Sequence, residues 1–547
     1  MRKKKLRLAA LILVLAVLLS ACGLSHDLLK RAEEYAWELL GVGSETVEFS
    51  NMEYTQPDMD ALRQALRESC EIARTETDAD KVLEAVYAFY DVYDRFYTDL
   101  ALADIHYSSD LTDLYWEKEY NFCLENVAEV DAALEELYYT LAESPVRDEL
   151  ESDFFGEGFF LSYEDENIWN KKLLAMMEEE NRLIGRYYEL SSEAMEEDYY
   201  SEEYFSAYLE PMTELLVELV SLRQQIAENA GYPSYGEFAY DFYHYRDYSP
   251  RQAERYLEEI GQKLTELYRS VNVSGIWKLA DDYCDEDDTF RYVKTAANNM
   301  GGKTREAFSM LEKGDLYHIA YGKNKMDGSF ETYLWSYYQP FVFVSPYLDQ
   351  TDKLAFAHEF GHFVNDYVCY GSTAGTDVAE VHSQAMEYLS LCYAEDAEEL
   401  EAYKMADCLC VYVEQAAYAL FEQRLYELQG DELTAENVQA LYKEIGTQFG
   451  FDSWDWDPRD FITVEHFYTN PMYIISYVVS NDTAFQIYQL EREESGAGLA
   501  VYEQCVESTD SYLVEFAKTY GLESPFRKGR IDEVLQTLET ELADYVS

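Results

Sequence analysis

Basic residues are scarce in this chain: 42 Lys and Arg stand against 108 Asp and Glu in 547 residues, a formal net charge of −66. A surface of that sign repels phosphate backbones and excludes nucleic acid as a partner. The acidic residues are spread among aromatics and aliphatics rather than gathered in one tail, which is the pattern of a solvated surface. Metal-type CxxC pairs are missing, so a thiolate zinc site or a redox pair of that kind is not expected. Repeats and low-complexity tracts are also missing. What remains is a long chain, 48% hydrophobic, able to bury a large core.

The N-terminus breaks the acidic rule. Arg2 to Arg7 hold five basic residues, followed by a twelve-residue apolar run from Leu8 to Leu19. Such a run is too short for a comfortable membrane span and has the layout of a signal peptide. Leu19-Ser20-Ala21-Cys22 resembles the bacterial lipobox. The expectation is cleavage after residue 21, a lipid on Cys22 that tethers the body to the outer face of the membrane, and a tether over 22–44. The eight other cysteines, Cys70, Cys123, Cys284, Cys369, Cys392, Cys408, Cys410 and Cys505, are an even number that permits disulfides outside the cell, but most sit among apolar helical residues and read as buried thiols.

Beyond the tether the periodicity is helical. Val82, Val86, Phe89, Tyr93, Phe96 and Leu100 recur at spacings of three and four, which marks one amphipathic helix. Residues 58–74, 112–143, 168–196, 205–230, 250–271, 398–428 and 530–545 read the same way. Between Tyr317 and Tyr347 aromatic and β-branched residues take over. There 323–328 reads as a turn, and Ser329 to Tyr338 and Phe341 to Ser345 as strands. One unit is expected over 45–547, with an N-terminal helical part (45–200) and a catalytic part (201–547).

His358-Glu359-Phe360-Gly361-His362 follows this sheet on a helix that starts near Thr351 or Asp352, either of which can cap it. Residues four apart share a helical face, so both imidazoles can reach one Zn²⁺ while Glu359 serves as base toward its water. The metzincin pattern fails, because Asn365 and Val368 stand where its glycine and third histidine belong. A glutamate on the next helix is the other option. Gly375-Thr376-Asp377 supplies a break and a cap, and Glu380 becomes the third ligand. Ser383, Gln384 and Glu387 follow on the same face, where they either support the ligands by hydrogen bonds or form ordinary helix surface. His382, two residues from Glu380, falls on the other side and reads as structural.

A further segment, His466 to Tyr477, offers donors. Asn470 can cap a helix opening at Pro471, with Tyr473 and Tyr477 on one face and His466 in the preceding loop. The three can donate to an oxyanion, although most of the 51 tyrosines must be packing or surface.

HEFGH followed by E-x-x-S-Q-x-x-E at Glu380 to Glu387 resembles the thimet oligopeptidase and oligoendopeptidase F family of metallopeptidases. Arg223 to Glu237 and His466 to Tyr477 are similar to two further segments of that family, in the same order. Membership implies a mainly α, two-lobed body with a long substrate channel and a small sheet beside the HExxH helix. It implies one zinc per chain, and Gly328, Ser329 and Phe330 on a substrate-facing strand. The implied activity is hydrolysis of internal bonds in short oligopeptides outside the cytoplasmic membrane. Two other readings stay open. One is an inactive peptide-binding or envelope lipoprotein, against which the presence of Glu359 counts, and the other is a dipeptidyl carboxypeptidase-like enzyme. The oligomeric state is left open.

Overall fold

The computed structural model describes residues 46–156, 158–163, 171–194, 201–371, 374–395, 397–451 and 456–546. Residues 1–45, on which the expected signal peptide, tether and Cys22 fall, lie outside them. In chain order the main elements open with α1 (Met59–Thr75), α2 (Ala79–Ser109), α3 (Leu114–Ala142), α4 (Lys171–Ala194) and α5 (Glu202–Asn229). They continue with α6 (Tyr235–Phe242), α7 (Pro250–Lys263), α8 (Thr265–Asn272), α9 (Glu286–Met300) and α10 (Gly302–Gly314). Three strands follow, β1 (Tyr317–Ile319), β2 (Ser329–Leu334) and β3 (Gln339–Val344), and then α11 (Thr351–Cys369) and α12 (Thr376–Tyr393). After them come α13 (Glu398–Cys410), α14 (Ala416–Leu425), α15 (Ala435–Gln448), α16 (Ile475–Glu493), α17 (Ala497–Cys505), α18 (Leu513–Thr519) and α19 (Arg530–Glu541). The protein is mainly α with one small mixed sheet.

Local chemistry explains many helix starts. The Asp58 and Asp113 carboxylates accept the first free N–H groups of α1 and α3. Ser249 opens α7 with a full capping box to Gln252, and Pro250 occupies the first turn, where no donor is needed.

Two compact units emerge. The N-terminal unit holds the described residues up to 166 with Glu306–Pro346 and Asp366–Gly371, and the larger unit takes the rest. This differs from a single division near residue 200, because the sheet joins the N-terminal unit. The core of that unit gathers Leu62, Val82, Phe89, Phe96, Leu137 and Phe160, each burial contributing about 1.5–3 kcal/mol before entropy is counted. Its sheet has the order β1-β3-β2, with β1 parallel and β2 antiparallel to β3. Phe330 pairs with Phe343 in that register. β1 was not foreseen, and β2 stops at Leu334 because Trp335–Tyr337 coil into a 3₁₀ turn and Tyr338 takes φ +54° to reverse the chain.

In the larger unit α12 and α16 form the centre, each buried along most of its length. Two expected helices are interrupted. The span 250–271 divides at Leu264, where the Thr265 hydroxyl bonds the Gly261 carbonyl. The span 398–428 carries a π turn at Val411–Gln415. The eight cysteines among the described residues are free thiols, five of them buried and Cys369, Cys392 and Cys410 half-buried. Among the described residues no helix is long and apolar enough to cross a membrane.

Candidate metal centre

The centre lies within the larger unit, where α11 and α12 meet backbone to backbone. Its local fold is set by several polar anchors. The start of α11 is capped by neither Thr351 nor Asp352: Asp349 Oδ1 accepts the Thr351 N–H at 2.8 Å. The Asp352 carboxylate instead turns back to accept from the N–H groups of Tyr347 and Leu348, both at 2.8 Å. α12 starts from the Gly375 backbone without a side-chain cap. Asp377 is used differently from the expected cap, accepting from Tyr248 Oη at 2.7 Å, Ser476 Oγ at 2.6 Å and Arg246 Nε at 3.3 Å.

On this frame His358, His362 and Glu380 come together with one ligand-type atom each, all within 4.8 Å of one another. His358 Nε2 lies 3.4 Å from Glu380 Oε2, and His358 Nδ1 lies 2.8 Å from Glu387 Oε1. An Nδ1–H donated to Glu387 leaves the Nε2 lone pair facing the other two groups, the tautomer a metal needs. Ser383 Oγ donates to Glu380 Oε2 at 3.1 Å. Gln384 sends its amide to the Tyr477 carbonyl at 3.4 Å rather than to a ligand. Glu359, 8% exposed, follows His358 on α11 and acts electrostatically on both His358 and Tyr477. His382 is fully buried with its ring against Phe516, apart from the three-residue cluster. Asn365 is buried and donates to the Val506 carbonyl at 2.8 Å.

Charge at the centre is finely divided. Burial alone would lower His358, but hydrogen bonds to Glu380 and Glu387 outweigh it and hold the imidazole well above the usual histidine range. Burial lowers His362 to about 4. Glu380 falls to about 2, since the neighbouring histidines overcome the burial that would raise it. The carboxylates thus favour a positive charge among the three ligands, which is what a divalent cation provides. Two imidazoles and one carboxylate, one imidazole carboxylate-backed, match the donor set of a catalytic zinc site.

The downstream segment folds differently from expectation. His466 begins a one-turn helix, His466–Thr469, rather than lying in a loop. Asn470 closes that turn, and the long helix α16 starts only at Ile475. Between them Met472 takes φ +65°, a conformation that L side chains adopt at a cost. The effect is to bring Tyr473 Oη to Glu380 Oε1, which it donates to at 2.7 Å. Tyr473 also stacks on His466, with ring centres 5.0 Å apart, while Tyr477 Oη and His466 Nε2 lie 3.3 Å apart. Burial and the Glu380 carboxylate keep both phenols far above their usual pKa, so they stay protonated, and burial lowers His466.

Several residues that hold this arrangement were given no role from sequence. Arg223 is fully buried, pairs with Glu180 at 2.6 Å, and donates to the carbonyls of Phe467 and Tyr468. Arg246 donates to the Met472 carbonyl and to Ser476 Oγ, each at 2.8 Å. Lys404 lies 2.6 Å from Glu387 Oε2. It is the one Lys or Arg between Lys353 and Arg424, a signal that was available. Gly328, Ser329 and Phe330 belong to the N-terminal unit, where Ser329 and Phe330 open the edge strand β2.

Residues 49–167 match the model of the Peptidase M3 N-terminal domain. No curated protein matches the chain. A solved structure assigned as an oligoendopeptidase F is 21% identical, with a TM-score of 0.78 over 91% of this chain and 99% of that one. PZ peptidase A, solved with an inhibitor, is 20% identical at a TM-score of 0.77 over 91% and 99%. A protein of Bacillus anthracis str. Ames assigned as an oligoendopeptidase F is 20% identical at 0.74 over 91% and 98%. The chain therefore has the fold of these structures along nearly their whole length.

Proposed function

We propose that this chain is a zinc metallopeptidase of the M3 kind that hydrolyses internal bonds of short oligopeptides outside the cytoplasmic membrane. The observation that carries the reading is the convergence of His358, His362 and Glu380, with Glu387 backing the first imidazole. These residues would hold one zinc, which supplies Lewis acidity toward a peptide carbonyl and toward water. Glu359 takes the proton of the attacking water and returns it to the leaving amine. Tyr473 uses its one O–H to hold Glu380, which leaves Tyr477, as a protonated phenol, and its neighbour His466, as a neutral imidazole, to donate to the developing oxyanion. The M3-type match over 49–167 and the shared fold with PZ peptidase A and the oligoendopeptidase F structures support the same class. The location rests on the signal pattern and Cys22.

The deciding experiment is a quenched fluorescent peptide library of graded length with product identification, run alongside zinc quantification. One zinc per chain and internal cleavage of short peptides are expected. Zinc binding without hydrolysis of any peptide would support a binding protein instead, and release of C-terminal dipeptides alone would support the carboxypeptidase reading.

A further inference from the structure

The mechanism above gives no task to Lys404, a buried cation close to the metal ligands. Its side chain is 3% exposed and reaches in from α13, an element that carries no ligand. The ammonium lies 2.6 Å from Glu387 Oε2, 2.7 Å from Asp407 Oδ2 and 5.0 Å from the centre of the Tyr388 ring. The other Glu387 oxygen lies 2.8 Å from His358 Nδ1. The two carboxylate oxygens are thus divided, one to the lysine and one to the histidine. A buried ion pair is a weak source of stability compared with apolar side chains of the same volume. A cation at this depth, aimed at the carboxylate behind a metal ligand, therefore calls for another reason.

We propose that Lys404 is a positioning residue for the metal site, acting through Glu387 on His358. By pairing with Glu387 Oε2 it fixes the rotation of the buried carboxylate. That leaves Oε1 to accept the His358 Nδ1–H and holds the imidazole with Nε2 toward His362 and Glu380. Asp407 Oδ2, 2.7 Å away, gives the ammonium a second anionic partner. Lose the lysine, and Glu387 Oε2 has no partner to stop the carboxylate rotating, so His358 loses its anchor. The inference rests on the zinc reading above.

The test uses the full chain with Lys404→Met, Lys404→Arg, Glu387→Gln and the double variant Lys404→Met/Glu387→Gln. Three quantities are read: zinc affinity by chelator competition, thermal unfolding of the metal-free chain, and the visible spectrum of the cobalt-substituted form. Lys404→Met and Glu387→Gln are each expected to weaken zinc binding about 10- to 100-fold, the usual cost of losing a group behind a metal ligand. The double variant should bind zinc about as well as Glu387→Gln alone, because two residues on one path do not add. Lys404→Arg should recover most of the affinity, and the cobalt spectrum should shift in the Met variant but not in the Arg variant. If Lys404→Met does not fold, the double variant, which removes both buried charges, still decides by its comparison with Glu387→Gln. A Met variant that melts earlier yet binds zinc within about twofold of the parent, or a double variant with additive losses, overturns the proposal. A parent chain that binds no zinc overturns the metal reading itself, and this inference with it.

Discussion

Gly361 lies against His382: a Cβ on the glycine would sit 2.6 Å from the His382 carbonyl oxygen and 2.6 Å from Ser383 Cα. The contact joins α11 to α12 one residue from His362 and two from Glu380, so the spacing of ligands on two helices is set by a glycine within the motif. Gly361→Ala should push the helices apart. The expected outcome is a loss of about 1–3 kcal/mol in denaturant unfolding, the range for overpacking, together with weaker zinc binding. Unchanged stability and affinity would show that the contact relaxes freely.

Glu359→Gln keeps the size of the side chain and removes its basicity. The zinc content measured by atomic absorption should stay near one per chain, while kcat on a fluorogenic peptide falls by about 10²–10⁴-fold. Retention of more than a tenth of the activity would take the base role from Glu359.

The hydroxyls of Tyr473 and Tyr477 are distinguished by their partners, since Tyr473 donates to Glu380 and Tyr477 contacts His466. Tyr473→Phe should weaken zinc binding as well as turnover, because Glu380 loses a hydrogen bond. Tyr477→Phe should lower kcat by about 10²–10³-fold with zinc affinity preserved if its hydroxyl serves the oxyanion. Zinc titrations and steady-state kinetics on the two variants separate the roles, and Glu380→Ala sets the scale for loss of a ligand.

Glu422 provides a test by pH away from the metal ligands. Burial raises its carboxyl to about 8, only partly offset by the Met472 N–H and by Arg223 and Arg246. An unfolded glutamate titrates near 4.3, so the folded state holds this proton more tightly. The associated stability is fully present below about pH 4.3 and is lost as pH rises to about 8, above which both states are ionised. Glu422→Gln should therefore gain on the parent across that window by an amount on the order of a few kcal/mol and level off beyond it. Denaturant melts of both proteins at pH 5, 7 and 9 check this, and a gap that does not widen with pH sinks it.

Cys22 is expected to be the first residue of the mature chain and to carry a diacylglycerol. Mass spectrometry of the N-terminal peptide from membrane fractions should find that adduct, and Cys22→Ala should release the protein from the membrane. An unmodified N-terminus at another residue would leave an ordinary cleaved signal.

The sequence by itself determined the helical class, because spacings of three and four recur wherever a stripe must be buried, and most predicted spans match helices to within a few residues. It also determined that two histidines and a glutamate stand on one helix with a second glutamate 18 residues after His362, since that depends on 3.6-residue periodicity alone. The tertiary structure decided which neighbours those groups meet. Asp377 looks like a cap in sequence but binds Arg246 and Tyr248, because three-dimensional packing brings a distant loop to it. The Pro471 segment looked like a helix start, but it is a turn with Met472 at φ +65° and its carbonyl on Arg246, and the long helix begins only at Ile475. Gln384 and Glu387 share one face of α12, yet one meets the Tyr477 carbonyl and the other His358 and Lys404. Periodicity fixes the face on which a side chain emerges, whereas the partner it meets depends on contacts between residues far apart in the chain, and those are settled only when the helices pack.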